Sequence, residues 1–430
     1  AINNKMIKCR NCKSKKSKKI VSIGSQPLSG IFFKTKKFNL KKYPLDLFKC
    51  KNCQLIQLYK TAKSHQMFGK TYEYRTSLSN LMITHIKNKI NNLKKRNLIK
   101  QSSSILDIGS NDGTFLNNLS KSMKLFGIDP AAKKFKNLYK KNVFFCNDFF
   151  SKKNIDNFVK KKIGKKINYD LITSLAMFYD VDDPNSFCKD ICSLLKKNGT
   201  WVLELSYFPL MLKNLTYDQI CHEHVTYYTL GVFKKIIEKN NLKIIDVSFN
   251  EINGGSIEII CAKKNSKFKT KNKKINKILM DERNINENSY ENFNERINKV
   301  KKLLQMFLNL NSKKKIIGYG ASTKGNVVLN HCNVKNYQIN EICDGSINKR
   351  HKYTPGSNIK IISKQEMRMK KPDYLLVLIW SFRKEVIKQE LNFLKLGGKL
   401  IFHLPRFHIV NIKNYKDYLK KDFKNLSYNY

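Results

Sequence analysis

His222, Glu223 and His224 occupy three consecutive positions, out of eight histidines in 430 residues, with Cys221 before them and Tyr227 and Tyr228 just after. An imidazole beside a carboxylate, with phenol hydroxyls nearby, is equipment for moving a proton. A His-x-His pair can also chelate metal, but the His-Glu-x-x-His spacing that places two ligands on one helical face is absent. A polar surface loop is the third reading. Position favours chemistry, because the stretch follows the strand-like run 201–205 by about a dozen residues, above the carboxyl edge of a sheet.

Cys9 and Cys12, then Cys50 and Cys53, form two Cys-x-x-Cys pairs. A two-residue spacer lets both sulfurs of a pair reach one ion, and four sulfurs close a tetrahedral zinc shell. Disulfides are the rival, but lone cysteines scattered through the rest of the chain point to a reducing compartment. A closed shell leaves no position for substrate, so the zinc is expected to be structural. That leaves the histidines free for proton transfer.

The run 105–116 reads as a buried strand, a turn with Gly109 and Gly113, and a helix start. Its Gly-x-x-x-Gly spacing is not the dinucleotide fingerprint. Twenty residues past Gly109, Asp129 ends the next strand, where a carboxylate can accept from two ribose hydroxyls. Asp148 follows a third strand, 142–146, where an acid can meet an adenine amino group. An adenosine without a pyrophosphate fits S-adenosylmethionine, with Asp107, Gly109, Asn111, Gly113, Asp129 and Asp148 as candidate cofactor residues.

Gly320, Ser322, Thr323, Lys324 and Asn326 form a second glycine turn, after the strand-like run 316–319. Asn326 and Val327 stand where a P-loop requires lysine and a hydroxyl residue, so this is not a P-loop. Its hydroxyls, Lys324 and a helix N-terminus still suit an anion, and Asp344 closes the next strand as an acid able to hold a hydroxyl.

The elements that must carry these residues follow from periodicity. Strand and helix patterns alternate over 68–262 and again over about 316–410, each with a glycine turn after its first strand. The expected fold class is α/β: two doubly wound Rossmann-like domains in tandem plus a small N-terminal zinc-binding domain. The expected units are 1–67, 68–262 and 275–410, with a lysine- and asparagine-rich linker over 263–277 and one helical run over 275–310. The longest apolar run, 374–380, is far too short for a membrane span of ~20 residues. No signal-peptide pattern opens the chain, so a soluble, cytoplasmic protein is expected.

Charge points elsewhere. The formal net charge is +52, yet only nine of 84 basic residues are arginine, the better tool for phosphate and base contacts. Lysine is spread over the whole chain, as an AT-rich coding bias would leave it, so no nucleic-acid partner is expected.

The four-cysteine segment, the 105–113 loop, the His222–His224 stretch with its tyrosines and the 318–326 loop stand in the order of the sugar-nucleotide C-methyltransferases, which the chain resembles over about 6–406. Those enzymes act in deoxysugar pathways for antibiotics and surface polysaccharides. The resemblance implies a zinc domain, a central S-adenosylmethionine domain and a C-terminal domain that holds a nucleotide-sugar. It implies methylation of a 4-keto-hexose at C3, with His224 as base and Glu223 orienting it or sharing the role. It also implies a tyrosine in the site, either Tyr72 or Tyr74. The family often carries tyrosine directly before His-Glu-His; Cys221 here marks the position most apt to signal a different sugar.

Overall fold

The computed structural model describes residues 8–59, 62, 64–68 and 74–422. Three sheets organise them. The first is antiparallel, from Ser17–Pro27, Lys42–Cys50 and Ile56–Leu58. Register shifts in Ser17–Pro27 turn both Ile20 and Val21 inward, which strict alternation forbids. A fourth strand, Thr226–Tyr227, comes from directly after the histidine stretch and pairs with Ile56 and Gln57.

The second sheet has seven strands. Ser104–Ile108, Lys124–Ile128 and Val143–Cys146 run outward on one side, Tyr169–Leu175 and Leu195–Ser206 on the other, all parallel. The reversed strand Ser256–Lys263 and then Leu242–Asn250 complete the edge. Strand order reverses between Ser104–Ile108 and Tyr169–Leu175, which opens a ligand crevice at their carboxyl ends.

The third sheet runs Lys360–Ser363, Glu341–Asp344, Ile316–Tyr319, Tyr374–Val377, Lys399–Phe402 and His408–Val410, parallel except for the last strand. Its order reverses beside Ile316–Tyr319, so the turn at 320–326 sits at the same topological position as 109–113.

The expected single helical run is two helices, Asn272–Glu282 and Glu287–Leu310. Asn286 breaks it: its side chain accepts from Ser289 N at 3.3 Å while Ser289 Oγ accepts from Asn286 N at 3.2 Å, a reciprocal cap. The linker is also shorter than expected, because Ile275 and Ile278 bury against the second sheet and start the first helix at Asn272. Glu287–Leu310 buries Tyr290, Phe293, Ile297, Val300, Leu304 and Leu308 in a core shared by the first and third sheets. Among the described residues no helix is long and apolar enough to cross a membrane.

Candidate active site at the junction of the three sheets

Residues 214–228 are buried throughout, so the histidine stretch is not a surface loop. Its two imidazoles have separate surroundings. His222 faces the first sheet: Nδ1 lies 3.4 Å from Ser29 Oγ, Tyr43 meets its ring edge-on, and Nε2 is buried with no described partner. Burial lowers its pKa to about 4.

His224 faces the second sheet. Its Nδ1 lies 2.8 Å from the carbonyl oxygen of Gln219, and its ring lies 4.1 Å from that of Tyr179, centroid to centroid. A carbonyl only accepts, so Nδ1 carries the proton and Nε2 presents a lone pair, which no described residue engages. Burial, with Lys324 adding repulsion, lowers its pKa to about 3. Gln219 is itself held: Nε2 donates to the carbonyl of Asn253 at 2.7 Å and Oε1 accepts from Ser206 Oγ at 3.2 Å.

Glu223 Oε2, Asp180 Oδ1 and Asp218 Oδ1 are buried oxygens with no described partner. Burial raises all three carboxyls, Asp218 to about 6, and Asp180 also feels the charge of Glu223. Trp380 Nε1 holds the other oxygen of Asp218 at 2.8 Å. The Cys221 thiol lies beside the Glu223 carboxylate. Tyr227 donates to the Gln219 carbonyl at 3.2 Å, whereas the ring of Tyr228 packs on Phe178 in the core.

The 320–326 turn closes the same space. Ser322 caps the helix Thr323–His331 by accepting from Gly325 N at 2.9 Å. Gly320 has φ 93°, and a Cβ there would lie 2.5 Å from Ile379 Cγ2. Lys324 does not point outward but donates to Asn253 Oδ1 at 3.0 Å. Asn326 is fully buried and donates to the carbonyl of Ser29 at 2.7 Å, docking the first sheet's loop. Gly30 in that loop is wedged between units: one point, where its Cβ would stand, is 2.6 Å from Glu223 Oε1 and 3.4 Å from Thr323 Oγ1. Asp344 lies at the neighbouring strand end, accepting from Ser346 N at 2.8 Å with Lys349 Nζ at 3.6 Å.

Residues 9–68, 82–247 and 251–405 match, in that order, family models described as a zinc binding domain, a methyltransferase domain and a C-methyltransferase C-terminal domain. The chain thus carries these three domains in that order and is a methyltransferase. It is 26% identical to C-methyltransferase NovU of Streptomyces niveus over 419 residues, 94% of this chain and 97% of that protein. Solved structures similar to it include an S-adenosylmethionine-dependent methyltransferase from Clostridium acetobutylicum, 15% identical over 41% of this chain and 89% of that one, TM-score 0.31. Magnesium protoporphyrin IX methyltransferase from Synechocystis, with bound SAH, is 13% identical over 42% and 83%, TM-score 0.32. At such scores these likenesses carry no argument.

As a methyltransferase the protein uses S-adenosylmethionine, and the crevice beside Ser104–Ile108 has the chemistry to hold it. Gly109 and Gly113 take φ 73° and 75°, and Cβ atoms there would lie 3.0 Å from Met177 and 2.8 Å from Tyr139. Asp107, Asp112 and Asp129 are buried around this turn, with Arg75 the near cation at 3.8 Å from Asp112. Such a set suits a ligand that is cationic and rich in hydroxyl donors. Asp129 accepts from Asn111 N at 3.0 Å and from Ala131 N at 2.6 Å, which fixes its carboxylate at the strand end. Asn111 ties the turn to the segment before the helix Asn80–Lys95, accepting from Thr76 N at 3.1 Å and donating to the Tyr74 carbonyl at 3.0 Å. Tyr74 is thus beside the 109–113 turn, half exposed, while Tyr72 lies outside the described residues. Asp148 is exposed beyond the end of the third strand.

The zinc donor set fits as well. The four sulfurs of Cys9, Cys12, Cys50 and Cys53 lie within 4.8 Å of one another. Both pairs are held by one device: Lys13 and Gln54, at φ 61° and 65°, donate N–H to the carbonyls of Cys9 and Cys50 at 2.9 and 3.0 Å. Sequence reasoning overlooked Asp180, Asp218, Gln219, Asn253 and Gly30. Asp218 and Gln219 lie next to the histidines and could have been flagged by that; the others carry no local signal.

Proposed function

We propose that this C-methyltransferase acts on a nucleotide-linked keto-sugar, methylating the carbon alpha to the ketone, C3 beside a 4-keto group. Carbon is a poor nucleophile until a neighbouring carbonyl acidifies its C–H, so the substrate must offer a ketone and the protein a base. The reading rests on one observation: His224 Nδ1 is tied to the Gln219 carbonyl, which leaves Nε2 as a lone pair that no described residue engages, in a buried stretch that also carries the unpartnered oxygens of Asp218 and Glu223. His224 takes the alpha proton, and general base catalysis of this kind contributes typically ~10²–10⁴-fold. Glu223 shapes the site beside it, and the unpartnered oxygens of Glu223, Asp180 and Asp218 suit sugar hydroxyls, which donate. S-adenosylmethionine, held at 107–113 and Asp129, supplies a methyl electrophile. The third sheet's turn is the proposed contact for the sugar end of the nucleotide-sugar, and Asp344 for one of its hydroxyls.

The test is proton exchange. Incubated in deuterated water with dTDP-4-keto-6-deoxyglucose and S-adenosylhomocysteine, the protein is expected to exchange the hydrogen alpha to the ketone, read by NMR. Absence of exchange across several keto-sugar nucleotides would overturn the reading.

A further inference from the structure

We infer that Lys324 is a catalytic residue: its ammonium meets the negative charge that forms on the ketone oxygen when His224 removes the alpha proton. This rests on the keto-sugar reading above.

Lys324 belongs to the first turn of Thr323–His331, in the unit of the third sheet, yet its side chain crosses to the second sheet's unit and donates to Asn253 Oδ1 at 3.0 Å. The carbonyl of Asn253 accepts from Gln219 Nε2 at 2.7 Å, and the carbonyl of Gln219 fixes His224 at 2.8 Å. Ammonium and imidazole are therefore held by one short chain of hydrogen bonds. The helix start is also close to the carboxylate beside the base, since Thr323 Oγ1 and Glu223 Oε1 flank the same Gly30.

An ammonium has three N–H bonds, and Asn253 takes one. No described residue takes the other two, which remain for a ligand. Burial lowers the Lys324 pKa from its ordinary value, against the pull of the nearby Asp218, Cys221 and Asp180, and His224 feels the lysine's charge in turn. A diphosphate brings fixed negative charge beside two carboxyls, Asp180 and Asp218, that burial already holds back from ionising. They tolerate a neutral ketone that becomes an oxyanion only in passing, and a preorganised cation in a water-poor site stabilises that charge strongly. Ser322 Oγ already occupies Gly325 N, so the turn offers fewer free N–H groups to a phosphate than its sequence promises.

Electron flow balances without any further reactant. The alpha C–H proton goes to His224 Nε2, its bonding pair forms the carbon–carbon double bond, and the carbonyl pair moves to oxygen against the Lys324 N–H bonds. The pair then returns to re-form the ketone as the carbon bonds to methyl, and the sulfonium bonding pair leaves with sulfur.

The experiment compares wild type, Lys324→Met, Lys324→Gln and Lys324→Arg. Exchange into dTDP-4-keto-6-deoxyglucose in deuterated water is read alongside binding of dTDP and of S-adenosylhomocysteine. Loss of an oxyanion donor predicts exchange slowed about 10²–10³-fold in Lys324→Met, with both affinities within about threefold, and partial recovery in Lys324→Arg. Lys324→Gln keeps a donor for Asn253 Oδ1, so it serves if the methionine variant misfolds. Exchange near the wild-type rate in the folded variants overturns the assignment, as does intact exchange at saturation with dTDP affinity lowered more than about tenfold, the signature of a phosphate contact. No exchange by wild type removes the keto-sugar reading itself, which separates the two failures.

Discussion

The Nδ1 of His224 and the carbonyl oxygen of Gln219 stand 2.8 Å apart, and that bond decides which nitrogen of the ring can act. Burial makes the free nitrogen a weak base, with a pKa of about 3. A weak base deprotonates carbon only if the product charge is strongly stabilised, so the imidazole and the Lys324 ammonium are best understood as one device.

Replacing His224 by alanine is expected to lower turnover at least ~100-fold while leaving S-adenosylmethionine binding intact. Because its pKa is lowered to about 3, the imidazole stays unprotonated across neutral pH. Turnover in wild type should therefore show no acid limb near pH 6.5. A limb there that vanishes in His224→Ala would contradict this placement of the base.

Gly30 has room for no side chain, since a Cβ would stand 2.6 Å from Glu223 Oε1. That oxygen ends a flexible side chain and can retreat, so Gly30→Ala is expected to fold. The displaced carboxylate sits beside the base, and small misplacements near a reacting centre are costly. Turnover should fall about tenfold or more with melting temperature nearly unchanged. Normal turnover in a folded Gly30→Ala would show that the Glu223 position is not critical.

Legibility in the sequence tracked how local each determinant is. The cysteine pairs and the turns at Gly109 and Gly113 were readable because their geometry is set within a few residues. The doubly wound sheets followed from buried strands alternating with helices, as Tyr169–Leu175 and Tyr374–Val377 show. Thr226–Tyr227 was not readable, because two residues carry no alternation and their partner lies near residue 56. The inward turn of Lys324 was hidden for the same reason: Asn253, Asp180 and Asp218 come from separate elements and meet only in the folded chain. The break at Asn286 did have a local signal, the Asn-x-x-Ser spacing, which apolar periodicity over 275–310 does not register.

The zinc site and the histidine stretch share a sheet, through the pairing of Ile56 with Tyr227 and the bond from Leu58 N to the Val225 carbonyl at 3.0 Å. About one zinc per chain is expected by elemental analysis. Zinc in such sites supplies on the order of 10–16 kcal/mol in peptide models, enough to hold a small sheet. Its removal, or Cys50→Ser, should raise amide exchange in Ser17–Pro27, Lys42–Cys50 and Thr226–Tyr227 and abolish turnover. Full turnover in metal-free protein would disconnect the two sites.

The burial of Asp107 beside the 109–113 turn can be tested by pH alone. Burial raises its carboxyl to about 7, against the opposing bond from Thr173 Oγ1 at 2.6 Å and with help from the charge of Asp129. From its ordinary 3.8 up to about 7 the folded protein keeps a proton that the unfolded chain has lost. The stability this contributes is complete below that range, drains away as pH rises through it, and changes no further above. Asp107→Asn keeps an acceptor for Thr173 and does not titrate. Relative to wild type, its unfolding free energy should therefore climb between about pH 4 and 7, by at most ~1.4 kcal/mol per unit, and then level off. Urea melts of both proteins at pH 5, 6, 7 and 8 read this directly. A difference that is flat across the series, or that grows only above pH 7, would show that Asp107 is already ionised in the folded protein.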